Sequence, residues 1–292
     1  MISKTYCPLP FNHIYIHPTN KASVCCAFRR DEERGNLPYI QEYDKLSDHL
    51  NHPFIKDIQQ KMLKGEKVPG CATCYYAEKH GYESMREKEI YTWHKESFRD
   101  FTPPDLENPK LEFIEVTFGN YCNLACRTCN SDLSHSWLEE NEMLKNKLLP
   151  SASATTRMNI DREWQDDDFK DLQYLKITGG EPMLHPDFPK FMERLEQQNI
   201  YCFIFTNASW VPKKRIFDML SDFKYCQIYL SIDGTGSVQE FMRHNSKWNI
   251  TEKSAIKWLE FERDNDNIRI SWSPIWSLMN ANYFIETCNW WL

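Results

Sequence analysis

The chain predicts an α/β fold, a parallel sheet covered by helices, preceded by a small cysteine-rich α+β domain. Three observations carry this. From about residue 108, short apolar runs alternate with stretches of helical spacing, the pattern that builds a parallel sheet. The first hundred residues lack that alternation and hold five of the eleven cysteines. Between them, Thr102-Pro103-Pro104 and Asn108-Pro109 read as a linker, so the expected division is 1–107 and 108–292.

In the first part, Ile14 and Ile16 alternate with polar residues, Pro18-Thr19-Asn20-Lys21 makes a turn, and Ala22-Ser23-Val24 runs into Cys25-Cys26. This predicts a hairpin. A helix is expected over Pro53 to Leu63, followed by Pro69-Gly70-Cys71-Ala72-Thr73-Cys74 and one longer helix from Tyr75 to about Glu96. In the second part, Phe113 to Phe118, Leu175 to Thr178, Cys202 to Thr206, Gln227 to Ile232 and Ile268 to Ile275 read as strands. Helices are expected from Phe188, Phe191, Met192 and Leu195, from Ile216, Phe217 and Leu220 after Pro212, and from Ala255, Ile256 and Leu259. Leu148 to Asp168 is polar and aperiodic and reads as a surface excursion.

The 292 residues are 41% hydrophobic and 14% aromatic, enough for a core. A net charge of −7 without a long basic run argues against nucleic acid as the main partner. No apolar stretch reaches membrane-spanning length, and Met-Ile-Ser-Lys-Thr-Tyr-Cys lacks a secretory pattern. Eleven cysteines in that setting predict a reducing, cytoplasmic location, where clustered thiols bind metal more often than they pair. Cys202 and Cys226, in strand-like runs, read as small buried residues.

Cys122, Cys126 and Cys129 follow the first strand of the alternating region as Cys-x3-Cys-x2-Cys. Three thiolates on one loop can bind three irons of a cubane cluster and leave the fourth open to a substrate. The location, at the C-terminal end of a strand, agrees with where parallel α/β folds place active sites. Zinc is the bland alternative, but it wants four ligands, and the loop offers no fourth. A second signal, Thr178-Gly179-Gly180-Glu181-Pro182, ends the second strand. Its glycines let a ligand come close to the backbone.

With these motifs and Ser231-Ile232-Asp233-Gly234 ending the fourth strand, residues 108 to 292 resemble the radical S-adenosylmethionine (radical SAM) superfamily. The resemblance implies a partial (β/α) TIM-like barrel and a [4Fe–4S] cluster on Cys122, Cys126 and Cys129 whose open iron is chelated by SAM. It implies that the backbone of Gly179, Gly180, Glu181 and Pro182 holds the SAM amino group, and that Ser231, Asp233 and Arg243 serve its carboxylate and ribose. For Arg243 the alternative is a solvated helix charge; Thr206 and Asn207 either face the cavity or cap the next helix. Thr128 stands where the family often has an aromatic, which weakens an adenine-stacking role there. Five strands are counted where the family usually has six, and the apolar ending Trp290-Trp291-Leu292 reads as a naturally short chain or a fragment.

Cys7, Cys71, Cys74 and one of Cys25 and Cys26 resemble the auxiliary-cluster modules (SPASM and twitch) of the same superfamily, placed before the barrel, with Asn20-Lys21 where a glycine is common. A second [4Fe–4S] cluster is expected there, with zinc or a redox pair as the alternatives. Adjacent strand residues face opposite ways, so only one of Cys25 and Cys26 can ligate; Cys26 is chosen. Glu78, Gly81, Ser84 and Arg86 read as a helix start with a solvated face, and Trp272, Trp276, Trp290 and Trp291 as a cavity lining or an aromatic core. The implied activity is reductive cleavage of SAM to a 5′-deoxyadenosyl radical that modifies a C–H bond of a peptide or small-molecule substrate, an oxidoreductase chemistry fed by a reductant such as flavodoxin or ferredoxin. The alternative is a zinc-stabilised or catalytically inactive radical SAM-like binding protein.

Overall fold

The computed structural model describes residues 3–28, 37–94, 104–144 and 169–292. The excursion expected at 148–168 lies outside the described residues. The chain packs as two compact units, Met1–Glu115 with Asp161–Leu172 and Val116–Ile160 with Gln173–Leu292. No helix among the described residues is long and apolar enough to cross a membrane.

The first unit opens with α1 (Leu9–Asn12), started by prolines that pre-set the helical φ. It runs into the expected hairpin, β1 (His13–Ile16) and β2 (Ala22–Ser23), antiparallel with Tyr15 opposite Ser23. Asn20 holds φ +63° in the turn. Asparagine tolerates that left-handed conformation better than most side chains, which explains how the turn forms without glycine. Helix α2 (Pro53–Leu63) has the expected bounds; Ile55, Ile58 and Met62 form its buried stripe, and the buried Gln59 amide donates to the Pro10 and Leu50 carbonyls (2.8 and 3.1 Å).

The single helix expected over 75–96 is two, α3 (Ala72–Lys79) and α4 (Met85–His94). Gly81 turns the chain at φ +75°. Ser84 then caps the second helix: Glu87 N–H donates to Ser84 Oγ (3.1 Å) and Ser84 N–H to Glu87 Oε2 (2.9 Å), a reciprocal capping box. Nor are these residues a solvated face. Ser84 and Arg86 are buried; the Arg86 guanidinium grips Glu78 through Nε–H to Oε1 (2.9 Å) and Nη2–H to Oε2 (2.7 Å), and Nη1–H donates to the Tyr6 carbonyl (2.8 Å). One bidentate pair therefore ties the two helices to the N-terminal segment.

The second unit takes over within β3 (Phe113–Thr117) and contains, in order, β4 (Ala125–Cys126), α5 (Leu138–Met143), β5 (Tyr174–Thr178), α6 (Phe188–Met192), β6 (Tyr201–Thr206), α7 (Lys214–Ser221), β7 (Tyr225–Leu230), α8 (Gly236–Met242), β8 (Arg243–His244), α9 (Trp248–Arg263), β9 (Ile268–Trp272) and α10 (Phe284–Trp291). The sheet order here is β3-β5-β6-β7-β9, with β5, β6, β7 and β9 mutually parallel. The α/β architecture with a parallel-dominated sheet is thus as the alternation predicts.

The strands bury one face. Cys202, Ile204, Cys226, Ile228, Ile268 and Ile270 are buried. The intervening Tyr201, Phe203, Phe205, Tyr225 and Tyr229 are only half-buried, and Phe205 stacks on Tyr229 (4.5 Å). This is the alternation of a sheet with one fully covered side. Helix α9 presents Thr251, Ser254, Ala255, Trp258 and Phe261 to the core, with Phe217 of α7 edge-on to Trp258 (5.1 Å). Ile256 and Leu259, chosen from sequence for its apolar stripe, are exposed instead: the small polar residues Thr251 and Ser254 occupy the buried face, so hydrophobicity alone misplaces the stripe.

Trp258→Ala is expected to lower the unfolding free energy by about 3–5 kcal/mol, whereas Ile256→Ala changes it by less than about 0.5 kcal/mol. Urea unfolding of both variants checks this; equal losses would mean that α9 packs through its other face.

Candidate functional site

The three-cysteine loop and the glycine turn are one structure. β3 and β5 end side by side, and the backbone continues to pair beyond them: Phe118 N–H donates to Thr178 O (3.0 Å), Gly180 N–H to Gly119 O (3.1 Å) and Glu181 N–H to Tyr121 O (2.7 Å). The approach requires glycine. A Cβ on Gly180 would lie 2.2 Å from the Tyr121 carbonyl oxygen and 2.9 Å from Cys122 Cβ, and Gly179 holds φ +127°. Pro182 is buried and opens a short 3₁₀ turn that ends the motif.

Residues that the sequence reading passed over hold the loop's shape. Cys122 N–H donates to His135 Nδ1 (3.0 Å), whose ring stacks on Tyr121 (5.0 Å); Nδ1 is therefore the acceptor. Ser136 Oγ–H donates to Cys122 O (2.8 Å), Ser134 Oγ–H to Leu124 O (2.5 Å) and Trp137 Nε1–H to Cys126 O (3.1 Å). The visible signal was the polar run Ser134-His135-Ser136, a helix-start pattern placed to receive loop carbonyls. On the other side β4 pairs with β8, Cys126 opposite Arg243.

The β6 end closes on the glycine turn through Glu181. Its fully buried carboxylate accepts from Thr206 Oγ1–H (2.8 Å) and Asn207 N–H (2.6 Å). Thr206 and Asn207 thus cap a carboxylate, not a helix. The Asn207 side-chain amide donates to Asn123 Oδ1 (2.9 Å) and lies 3.7 Å from Cys122 Sγ, while its Oδ1 accepts from Ser209 N–H (2.9 Å). At the β7 end, Ser231 is half-buried and its N–H donates to Thr206 O (2.9 Å). Asp233 and Arg243 are both buried and paired, Nη2 to Oδ1 at 3.0 Å and Nε to Oδ2 at 2.9 Å. Asp233 Oδ1 also accepts from Ile275 N–H (2.8 Å), its N–H donates to Gln239 Oε1 (2.8 Å), and Arg243 Nη1 lies 3.9 Å from Cys126 Sγ. Arg243 is therefore no solvated helix charge.

Burial shapes the electrostatics. It pushes the Cys122 and Cys126 thiols up to about 11 and raises Cys129 as well; binding a metal there releases protons. Burial also lifts Glu181 to about 7, against the hydrogen bonds that favour its charged form. Among the described residues no three His, Cys, Asp or Glu side chains converge on a single ion; a cubane needs no such convergence, since each thiolate binds a different iron. Three cysteines on one loop, with amide and guanidinium donors on two of the sulfurs and a glycine turn packed directly against the loop's backbone, fit an iron–sulfur cluster with an exchangeable corner.

In the first unit, Cys7, Cys25, Cys71 and Cys74 line one cavity together with Phe28, Met62 and Arg86. Cys26, chosen from sequence, is exposed, and Cys25 takes the inward position. Burial pushes the Cys7 and Cys25 thiols well up, and no disulfide joins any of the eleven cysteines. Trp272, Trp276, Trp290 and Trp291 form a half-buried cluster in the second unit, Trp272 stacked on Trp291 (6.0 Å) and edge-on to Trp276 (5.7 Å).

The family model described as Radical SAM superfamily matches residues 116–262, half of the chain. The GTP 3′,8-cyclase of Helicobacter pylori is 21% identical over 153 residues, 52% of this chain and 42% of that protein; the chain thus spans less than half the length of this curated relative. Among solved structures, native anSMEcpe with bound AdoMet has a TM-score of 0.41 at 17% identity, over 60% of this chain and 49% of that one. Streptococcus suis SuiB bound to S-adenosylmethionine has a TM-score of 0.37 at 13% identity, over 99% of this chain and 60% of that one.

Gly180→Ala is expected to destabilise the second unit by about 1–3 kcal/mol, because backbone on one side and Cys122 on the other leave no room; thermal unfolding measures it, and an unchanged midpoint would contradict the tight approach. Glu181 binds its proton more tightly folded (about 7) than unfolded (roughly 4.3). The folded state therefore holds more protons between those values, and stability falls as pH rises through that window. Glu181→Gln should flatten that slope in denaturant titrations at about pH 4.5, 6 and 7.5, values that span the window.

Proposed function

Because the chain belongs to the radical SAM superfamily, we propose that it is a radical SAM enzyme whose cluster ligands are Cys122, Cys126 and Cys129. The observation that carries the reading is the docking of the three-cysteine loop, through Gly119 to Cys122, on the backbone of Gly179, Gly180 and Glu181 at adjacent strand ends. When bound, a reduced [4Fe–4S] cluster supplies the electron that cleaves SAM to methionine and a 5′-deoxyadenosyl radical, which takes hydrogen from a substrate C–H bond.

The protein's own part is placement. Cys122, Cys126 and Cys129 hold three irons and leave one corner open. The Gly179–Pro182 backbone, free of Cβ atoms at its first two positions, offers polar groups to the SAM amino end. Half-buried Ser231, at the neighbouring strand end, serves the carboxylate and ribose. The buried Glu181, Thr206 and Asn207 keep the strand ends together, and Asp233 with Arg243 holds the β7 end against Cys126. Burial excludes water from the same corner.

Residues 1–107 act as an auxiliary-cluster domain and 108–292 as the core domain. The auxiliary ligands are Cys7, Cys25, Cys71 and Cys74, supported by their common cavity. A four-cysteine site has no open iron and suits electron transfer from a substrate radical. The substrate class proposed is a peptide, on the resemblance of this four-thiol module to those of peptide-modifying relatives, with a flavodoxin- or ferredoxin-type reductant in a reducing, cytoplasmic setting.

Anaerobically purified protein is expected to contain iron and sulfide and, after dithionite reduction, to release 5′-deoxyadenosine from SAM. Cys126→Ala should abolish release while the first unit keeps its metal. Zinc on the three-cysteine loop, or no 5′-deoxyadenosine from a reconstituted cluster, would sink the reading and leave a zinc-stabilised or inactive binding protein.

A further inference from the structure

Two of the three loop cysteines have a buried nitrogen donor aimed at their sulfur. The Asn207 amide is 3.7 Å from Cys122 Sγ, and Arg243 Nη1 is 3.9 Å from Cys126 Sγ. Both donors are nearly inaccessible, at 5% and 6% exposure. Each is also locked at its far side. Asn207 Oδ1 accepts from the N–H and the hydroxyl of Ser209 (2.9 and 2.7 Å), so the amide cannot turn round. Asp233 fixes the other edge of the guanidinium. Cys129 differs: it is half-buried, and its Sγ lies 3.5 Å from the Asn130 carbonyl, an acceptor.

From this asymmetry we propose that Asn207 and Arg243 are positioning residues of the metal centre, acting on the Cys122 and Cys126 thiolates rather than on SAM, and that they set the ease with which the cluster is reduced. A reduced cluster carries one more negative charge, part of it on its thiolates. An N–H dipole or a guanidinium held against those sulfurs stabilises the reduced form, and in a buried site water does not screen the effect. The donors come from two different elements, Asn207 from the β6 end and Arg243 from β8, where Asp233 ties it to the β7 end, so each thiolate is coupled to the same connections that close the site. The third thiolate, with no such donor among the described residues and half-buried, is left as the least constrained of the three. The inference rests on the cluster assigned above.

The experiment is a redox titration of the full-length, reconstituted protein followed by electron paramagnetic resonance. The signal that SAM perturbs identifies the cluster on the loop, and its midpoint is read before SAM is added. Asn207→Leu and Arg243→Lys should each make reduction roughly tenfold less favourable, a negative shift of about 59 mV for one electron. Asn207→Ser, which keeps an acceptor for Ser209 N–H but is too short to reach the sulfur, should shift the same way if the leucine variant does not fold. Ser209→Ala removes the hydroxyl that helps to lock the Asn207 amide but keeps the backbone N–H that also holds it, and should shift the midpoint the same way by less. An unmoved midpoint in the Asn207 variants overturns the inference, and an unmoved midpoint with weaker SAM binding assigns the residue to SAM instead. A wild-type protein that holds no cluster on the loop overturns the functional reading and this inference with it.

Discussion

The site depends on a contact between two pieces of backbone about sixty residues apart in sequence. Gly119 to Tyr121 and Thr178 to Glu181 pair by main-chain hydrogen bonds just past the ends of β3 and β5. Hydrogen bonds of that kind pin a loop only if the chains can come within reach, and any side chain on Gly180 would collide with Tyr121. Because the cysteine loop is held through its backbone, its thiols remain available to a metal. Hydrogen bonds from the serines and tryptophan that follow the loop then satisfy carbonyls that would otherwise be buried without partners.

Around that contact the second unit holds two fully buried carboxylates, Glu181 and Asp233, and answers each one. Glu181 receives a hydroxyl and a backbone amide from the β6 end; Asp233 receives a guanidinium and a backbone amide. Buried charges are tolerated only when so matched, and removing one partner typically costs several kcal/mol. The matching residues have a second task. Asn207 and Arg243, which close the strand ends, also stand over Cys122 and Cys126. Structural closure and the electrostatic environment of the thiols are thus built from the same side chains.

The first unit uses a different device. Its four inward cysteines come from three separate segments, the turn before α1, the end of the hairpin and the start of α3. The Arg86–Glu78 pair fixes α4 against α3 and reaches Tyr6, next to Cys7. A buried bidentate ion pair is directional, so it constrains where the segments carrying Cys7 and Cys71 lie, beyond what the small apolar cluster around Phe28 and Met62 imposes.

Sequence alone determined the parallel α/β architecture, the hairpin, the α2 bounds and the two motifs, because these rest on local periodicity, turn chemistry and residue identity. It marked Gly179 and Gly180 as special but not what they avoid. The tertiary structure alone decided that Cys25 faces inward, since both cysteines lie in the turn after β2 and only the packing around that turn selects one of them. It also decided that α9 buries Thr251 and Ser254 in place of Ile256 and Leu259, because burial follows the neighbouring surface and not hydrophobicity. The break between α3 and α4 was written in Gly81 and Ser84-x-x-Glu87, yet the long helical pattern masked it. The partners of Glu181, Asp233 and the thiols could not be read from sequence: Thr206 and Asn207 come from the β6 end and Arg243 from β8, elements that meet only in space, and no spacing along the chain encodes such a meeting.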